Sequence, residues 1–275
     1  MDTKRFAEEL PVLFDGDVMA DHPVDRHLKA VIDDVPGLSS ENALALLHLA
    51  ASLLPEGEVY LEVGSYKGLT LTAAMLGNKR AEFHAVESFR EFGVDPDATK
   101  AELFANLRRW VDTSRLTLHV GDAFRLLSKT DLLQRPVGVY FYDGNHSRTA
   151  HSLALAIAEP FLADEALVIV DDASWPTVAE PTEKYVRQNP GYHLLFDLPA
   201  QQDYETRWWN GVKVYRYRRP DQRGRRRSSP SVWLRRTWYL WLYEPGWYFG
   251  SRFLSTKPRL TTFLRRVLPT KGVKK

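Results

Sequence analysis

The stretch 59-VYLEVGSYKGLTLTAAM-75 decides the fold. Val59 to Val63 is a short, mostly apolar run, Gly64 to Gly68 is a turn, and apolar residues then recur at helical spacing over about 68–76. Strand, tight turn and helix in that order open a βαβ unit. Outward from it, further strands are expected at EFHAVE (82–87), LTLHVG (116–121), VGVYFYD (137–143), ALVIVDD (166–172), YHLLFDL (192–198) and GVKVYRY (211–217). Helices are expected at about 97–111, 123–130, 147–161 and 177–188. The central runs are nearly continuous in hydrophobes, as a parallel sheet covered on both faces requires. The last two runs have no helix between them and form an antiparallel hairpin at one sheet edge. The expected class is α/β and Rossmann-like: a seven-stranded, mostly parallel sheet with an antiparallel C-terminal hairpin and helices on both faces.

Before this unit, 24–34 and 40–54 read as helices, the second opened by the cap candidates Ser39 and Ser40 after Pro36-Gly37. They are expected to pack on the sheet or to cover its ligand cleft. Three segments follow: a helical extension or lid at 1–57, the α/β domain at 58–219, and a tail at 220–275. With 44% hydrophobic and 26% charged residues, the 275-residue chain suits a soluble globular protein with one main core. The absence of cysteine excludes disulfides and thiolate zinc, so any metal must be held by oxygen or imidazole. Acidic residues interrupt MDTKRFAEELPVLFDGDV (1–18), so no secretory signal is expected there, and a cytoplasmic location is expected.

The net charge of +2 hides an asymmetry. Residues 218–275 hold 12 Arg and 4 Lys against Asp221 and Glu244, a net +14, which leaves −12 for the rest of the chain. Pro220, Gly224 and Ser228-Ser229-Pro230 mark a linker at this boundary.

Gly64 and Gly68 permit a tight turn at the carboxyl end of the first strand, where open α/β sheets bind ligands. Their G-x-x-x-G spacing fails the G-x-G-x-x-G dinucleotide fingerprint, and Lys67 precedes Gly68 rather than Ser or Thr, which fails the phosphate-loop pattern. A turn without phosphate machinery suits a ligand without phosphates, such as S-adenosylmethionine. Glu62 would accept from its ammonium, Glu87 at the end of the second strand would hold ribose hydroxyls, and Asp122 would meet the adenine amino group. Each carboxylate alone is also an ordinary helix cap or solvated strand end; three in register at successive strand ends favour the ligand.

On EVGSYKG (62–68), AVES (85–88), VGDAF (120–124), FYDGNHS (141–147) and VIVDDASW (168–175), residues 58–217 resemble the class I methyltransferases, which use S-adenosylmethionine. Within that class they look most like the bacterial magnesium-dependent O-methyltransferases of the macrolide-sugar, catechol and caffeoyl types. The resemblance implies that Glu62, Gly64, Glu87 and Asp122 hold the cofactor, with Ser65, Gly68, Ser88, Ala123 and Asp143 beside them.

Asp143 ends the fourth strand, and Asp171 and Asp172 end the fifth. Crowded carboxylates repel unless protonated or neutralised, so these three are the expected ligands of Mg²⁺, or of Mn²⁺ in its place. His146, three residues after Asp143, is the expected base for an acceptor hydroxyl, with Asp143 beside it. It departs from the lysine of the catechol type and is closer to the sugar-modifying type. Asp143-Gly144-Asn145 also makes an excellent turn, and Asp172 could simply cap the next helix. His151 reads as structural. Tyr142, Trp175, Trp208 and Trp209 are candidates for the acceptor cleft, and 199–210, with Gln201 and Gln202, for its lid.

The expected acceptor is a small-molecule hydroxyl, with a sugar or glycolipid moiety as one class. Four of the eight tryptophans fall between 233 and 247 among arginines, so 231–267 is expected to touch an anionic membrane peripherally, at its inner face. Docking on the catalytic domain or a homo-oligomeric interface is the plainer alternative, and nucleic acid ranks lower because no recognised binding module accompanies the run.

Overall fold

The computed structural model describes residues 1–90, 95–129, 131–220 and 230–243. The chain divides into two compact units, Met1–Arg227 and Ser228–Lys275. The first is built on a seven-stranded sheet in the order β3-β2-β1-β4-β5-β7-β6. Its strands are β1 (Val59–Val63), β2 (Glu82–Glu87), β3 (Leu116–Val120), β4 (Val137–Tyr142), β5 (Leu162–Val170), β6 (Tyr192–Leu198) and β7 (Val212–Arg218). β1 to β5 pair in parallel, while β7 runs antiparallel to both β5 and β6, so the C-terminal hairpin closes one edge as expected. β1, β4 and most of β5 are buried along their length, and this is why they read as continuous apolar runs.

Helices α1 (Thr3–Val12), α2 (Lys29–Asp34), α3 (Glu41–Ser52), α4 (Leu69–Met75) and α5 (Pro96–Trp110) are joined by α6 (Ala123–Leu126), α7 (Arg148–Ala158) and α8 (Pro176–Gln188). Phe6 and Leu10 of α1, Leu46 and Ala50 of α3, Leu71 of α4 and Leu103 of α5 share one core with Tyr60, Phe83, Phe141 and Ile169 of the sheet. On alternate strand positions Tyr140 is buried too, and its hydroxyl donates to the Ala154 carbonyl of α7 at 3.0 Å. Ser40 caps α3 by accepting from the Ala43 amide.

Four elements depart from the sequence expectation. α1 is an addition: Asp2 caps it, and only Phe6 and Leu10 carry its apolar signal before Pro11. α2 starts at Lys29 rather than at 24, and α6 stops at Leu126 rather than running to 130. β5 begins at Leu162 rather than at 166. Its charged residues Asp164 and Glu165 broke the apolar pattern, and each is answered by an arginine at the end of the hairpin, Arg219 at 2.7 Å and Arg218 at 3.1 Å.

In the second unit, α9 (Pro230–Trp238) continues into a π-helical segment, Tyr239–Tyr243. Arg223–Arg227, Trp247 and the 244–267 part of the tail lie outside the described residues. Among the described residues no helix is long and apolar enough to cross a membrane.

Candidate active site

The turn after β1 is fixed by backbone contacts. Gly64 has φ +89°, and a Cβ there would lie 2.0 Å from the Asp143 carbonyl oxygen, so glycine alone fits where the ends of β1 and β4 meet. The Gly64 amide donates to Val86 and the Asp143 amide to Val63, which joins the ends of β2, β1 and β4. Gly68, also left-handed at φ +88°, is the N-cap of α4, and the Asn106 amide of α5 holds the Lys67 carbonyl at 2.9 Å.

Glu87 is the chief organiser of this turn. One carboxylate oxygen accepts from the Ser65 and Tyr66 amides at 2.9 and 2.8 Å, and the other from the Phe89 amide at 2.7 Å. A carboxylate expected to face ribose therefore also carries the loop that would lie under it. Ser88 accepts from the Arg90 amide, and Asp122 caps α6 through the Arg125 amide with Ala123 as its first residue. Glu62 is fully buried and accepts from the Tyr60 and Thr70 hydroxyls, each at 3.0 Å. Burial pushes its carboxyl up to about 7, even though those hydrogen bonds favour the ionised form.

Asp143, His146 and Asp172 come together, with one ligand atom from each lying within 4.8 Å of the others. His146 Nδ1 is 2.5 Å from Asp172 Oδ2, and its Nε2 is 3.6 Å from Asp143 Oδ1. Asp172 adopts φ +53°, a left-handed conformation that costs a non-glycine residue about 1 kcal/mol or more. Its remaining oxygen accepts from Asn210 Nδ2 at 2.6 Å, and Asn210 in turn accepts from the Tyr204 amide at 2.8 Å. Asn210 is buried, and sequence reading missed it because it sits in a loop with no motif of its own.

Asp171 lies outside this cluster, which takes His146 where the sequence pointed to Asp171. It is buried, with Oδ1 lacking a hydrogen-bond partner. Burial, followed by the charges of Asp172 and Glu62, pushes its carboxyl well above the usual carboxylate range. His151 is buried with its ring edge-on to Tyr142, and burial and the nearby His146 push it down to about 3, in keeping with a structural role.

The aromatic candidates divide. Trp175 lies 5.4 Å from the His146 ring and donates to Asp203 at 2.8 Å. Tyr142 and Trp208 are core residues instead, because each is wholly buried. Trp209, at φ +55°, packs on Tyr204. The loop after β6 is a fixed wall rather than a free lid: Trp208 Nε1 donates to the Val18 carbonyl at 2.9 Å, and Ser40 Oγ to the Arg207 carbonyl at 2.6 Å. Outside that wall is a cavity of about 470 Å³, lined by Asp21, Gln201, Gln202, Tyr204, Glu205 and Arg207 among others.

Comparison with known proteins agrees with this architecture. Residues 61–173 match a family model described as a methyltransferase domain. The O-methyltransferase TomG from Streptomyces achromogenes, involved in tomaymycin synthesis and solved with S-adenosylmethionine, is 17% identical with a TM-score of 0.55; the match covers 80% of this chain and 100% of that one. An O-methyltransferase from Bacillus cereus, solved with S-adenosylhomocysteine, is 14% identical with a TM-score of 0.54, covering 71% of this chain and 92% of that one. No curated protein sequence matches the chain. The fold is that of the class I methyltransferases. Over residues 61–173, from the β1 turn to the end of β5, the chain is thus similar to a methyltransferase domain.

Proposed function

We propose that this chain is an S-adenosylmethionine-dependent methyltransferase that transfers the methyl group to a hydroxyl oxygen of a small molecule or of a sugar or glycolipid moiety, with help from Mg²⁺ or Mn²⁺. The observation that carries this reading is the cluster of Asp143, His146 and Asp172 one backbone contact away from Gly64. Asp172 Oδ2 accepts a hydrogen bond from His146 Nδ1–H, which leaves Nε2 as the basic nitrogen. The acceptor oxygen gains the methyl of the sulfonium as its own proton passes to His146 Nε2, and S-adenosylhomocysteine leaves. Trp175 packs beside the His146 ring.

The donor set fits a divalent cation, because carboxylate oxygens of Asp143 and Asp172 converge. Asp143 and Asp172 would hold it, and its charge would lower the pKa of an acceptor hydroxyl. A metal-independent version is favoured by one feature, the seat of His146 between two carboxylates, where an imidazolium would neutralise them. Titration calorimetry with S-adenosylhomocysteine, with and without Mg²⁺ or EDTA, tests cofactor and metal together. Turnover that survives EDTA selects the metal-independent version. His146→Ala is expected to lower turnover by roughly 10²–10⁴ with cofactor affinity kept, and full activity in that variant would sink the assigned base.

A further inference from the structure

We infer that the exposed face of α9 and of the π-helical segment after it is a docking surface for an anionic lipid bilayer. Trp233, Leu234, Trp238, Trp241 and Leu242 are exposed by 52%, 60%, 47%, 72% and 65%. At about 100° per residue, Trp233, Leu234 and Trp238 fall within less than half a turn of the helix, and Trp241 and Leu242 follow one turn on. In Met1–Arg227 the large exposed hydrophobics, such as Val12, Val24 and Leu194, are scattered through the sequence. Single exposed apolar side chains are ordinary; five on one short helical face mark a contact surface.

The chemistry of that face selects its occupant. Tryptophan prefers the boundary between headgroups and hydrocarbon, and leucine beside it needs an apolar medium. Arg235 is exposed at its edge, and residues 218–275 carry the net +14 already described, which suits anionic headgroups. Two copies meeting through this face would bring two segments of +14 together, which opposes self-association. Nucleic acid offers base faces to the tryptophans but no hydrocarbon for Leu234 and Leu242. Among the described residues no helix is long and apolar enough to cross a membrane.

Cosedimentation of the full chain with phosphatidylcholine vesicles, and with vesicles that also contain phosphatidylglycerol, tests the assignment. The chain is expected to bind the phosphatidylglycerol vesicles preferentially and to lose much of that binding in 1 M NaCl. The combined variant Trp233→Ser, Leu234→Ser, Trp241→Ser is expected to partition at least about tenfold more weakly, with S-adenosylhomocysteine affinity unchanged as the check on folding. Undiminished vesicle binding by the variant, or none by the unmodified chain, overturns the inference. It is also overturned if the substitutions instead dissolve a dimer in sedimentation velocity, or abolish binding to single-stranded DNA in a chain that ignores vesicles.

Discussion

Glu62 is a carboxyl with no water around it, and its cost to the fold depends on pH. Its folded pKa of about 7 lies above the ordinary value of 4.5, so the protein is most stable when Glu62 is protonated. Stability is therefore whole below about pH 4.5 and is lost as pH rises through 7, by a sum on the order of 3 kcal/mol. Asp171 is shifted in the same direction and adds to the trend. Urea denaturation between pH 5 and 8 should show the loss, and Glu62→Gln should flatten it; an equally steep fall in that variant would place the effect elsewhere. Asn210 acts at the same scale. Asn210→Ala removes a hydrogen bond to a charged carboxylate, for which about 1.5–3 kcal/mol is typical. Turnover should fall roughly 10- to 100-fold while cofactor affinity holds, and a fall in affinity alone would contradict its placement at Asp172. The sequence exposed Asp143, His146 and Asp172 because strand ends and short turns are local features. It could not separate Asp171 from Asp172: neighbouring residues leave a strand on opposite sides, and the left-handed turn at Asp172 that decides between them leaves no signature in the residue types.

Among the elements, the wall after β6 is the one whose character changed most between sequence and structure. Its composition suggested a lid, yet Trp208 is wholly buried against Phe14, with ring centroids 5.6 Å apart. Trp208→Ala should cost roughly 3–5 kcal/mol in chemical denaturation, as for other large core truncations. A loss near zero would mean that the loop moves freely after all. Strands β1, β2 and β6 were legible to the residue because their apolar runs end at glycine, acid or proline signals. α1 was not, since two apolar side chains one turn apart are too few to set a period, and β5 was shortened because the arginines that answer Asp164 and Glu165 come more than fifty residues later.

At the scale of the whole molecule, opposite charges are segregated along the chain, with −12 before residue 218 and +14 from there on. Composition made that division plain, while the apolar arc of α9 became visible only once a helix had arranged its tryptophans. The contact between Gly64 and the Asp143 carbonyl has its own consequence at this scale. Because two main chains touch where no side chain fits, the spacing between the turn after β1 and the end of β4 is a fixed gauge, set by peptide dimensions. Substitutions in the surrounding walls can then reshape the crevice while that spacing stays the same.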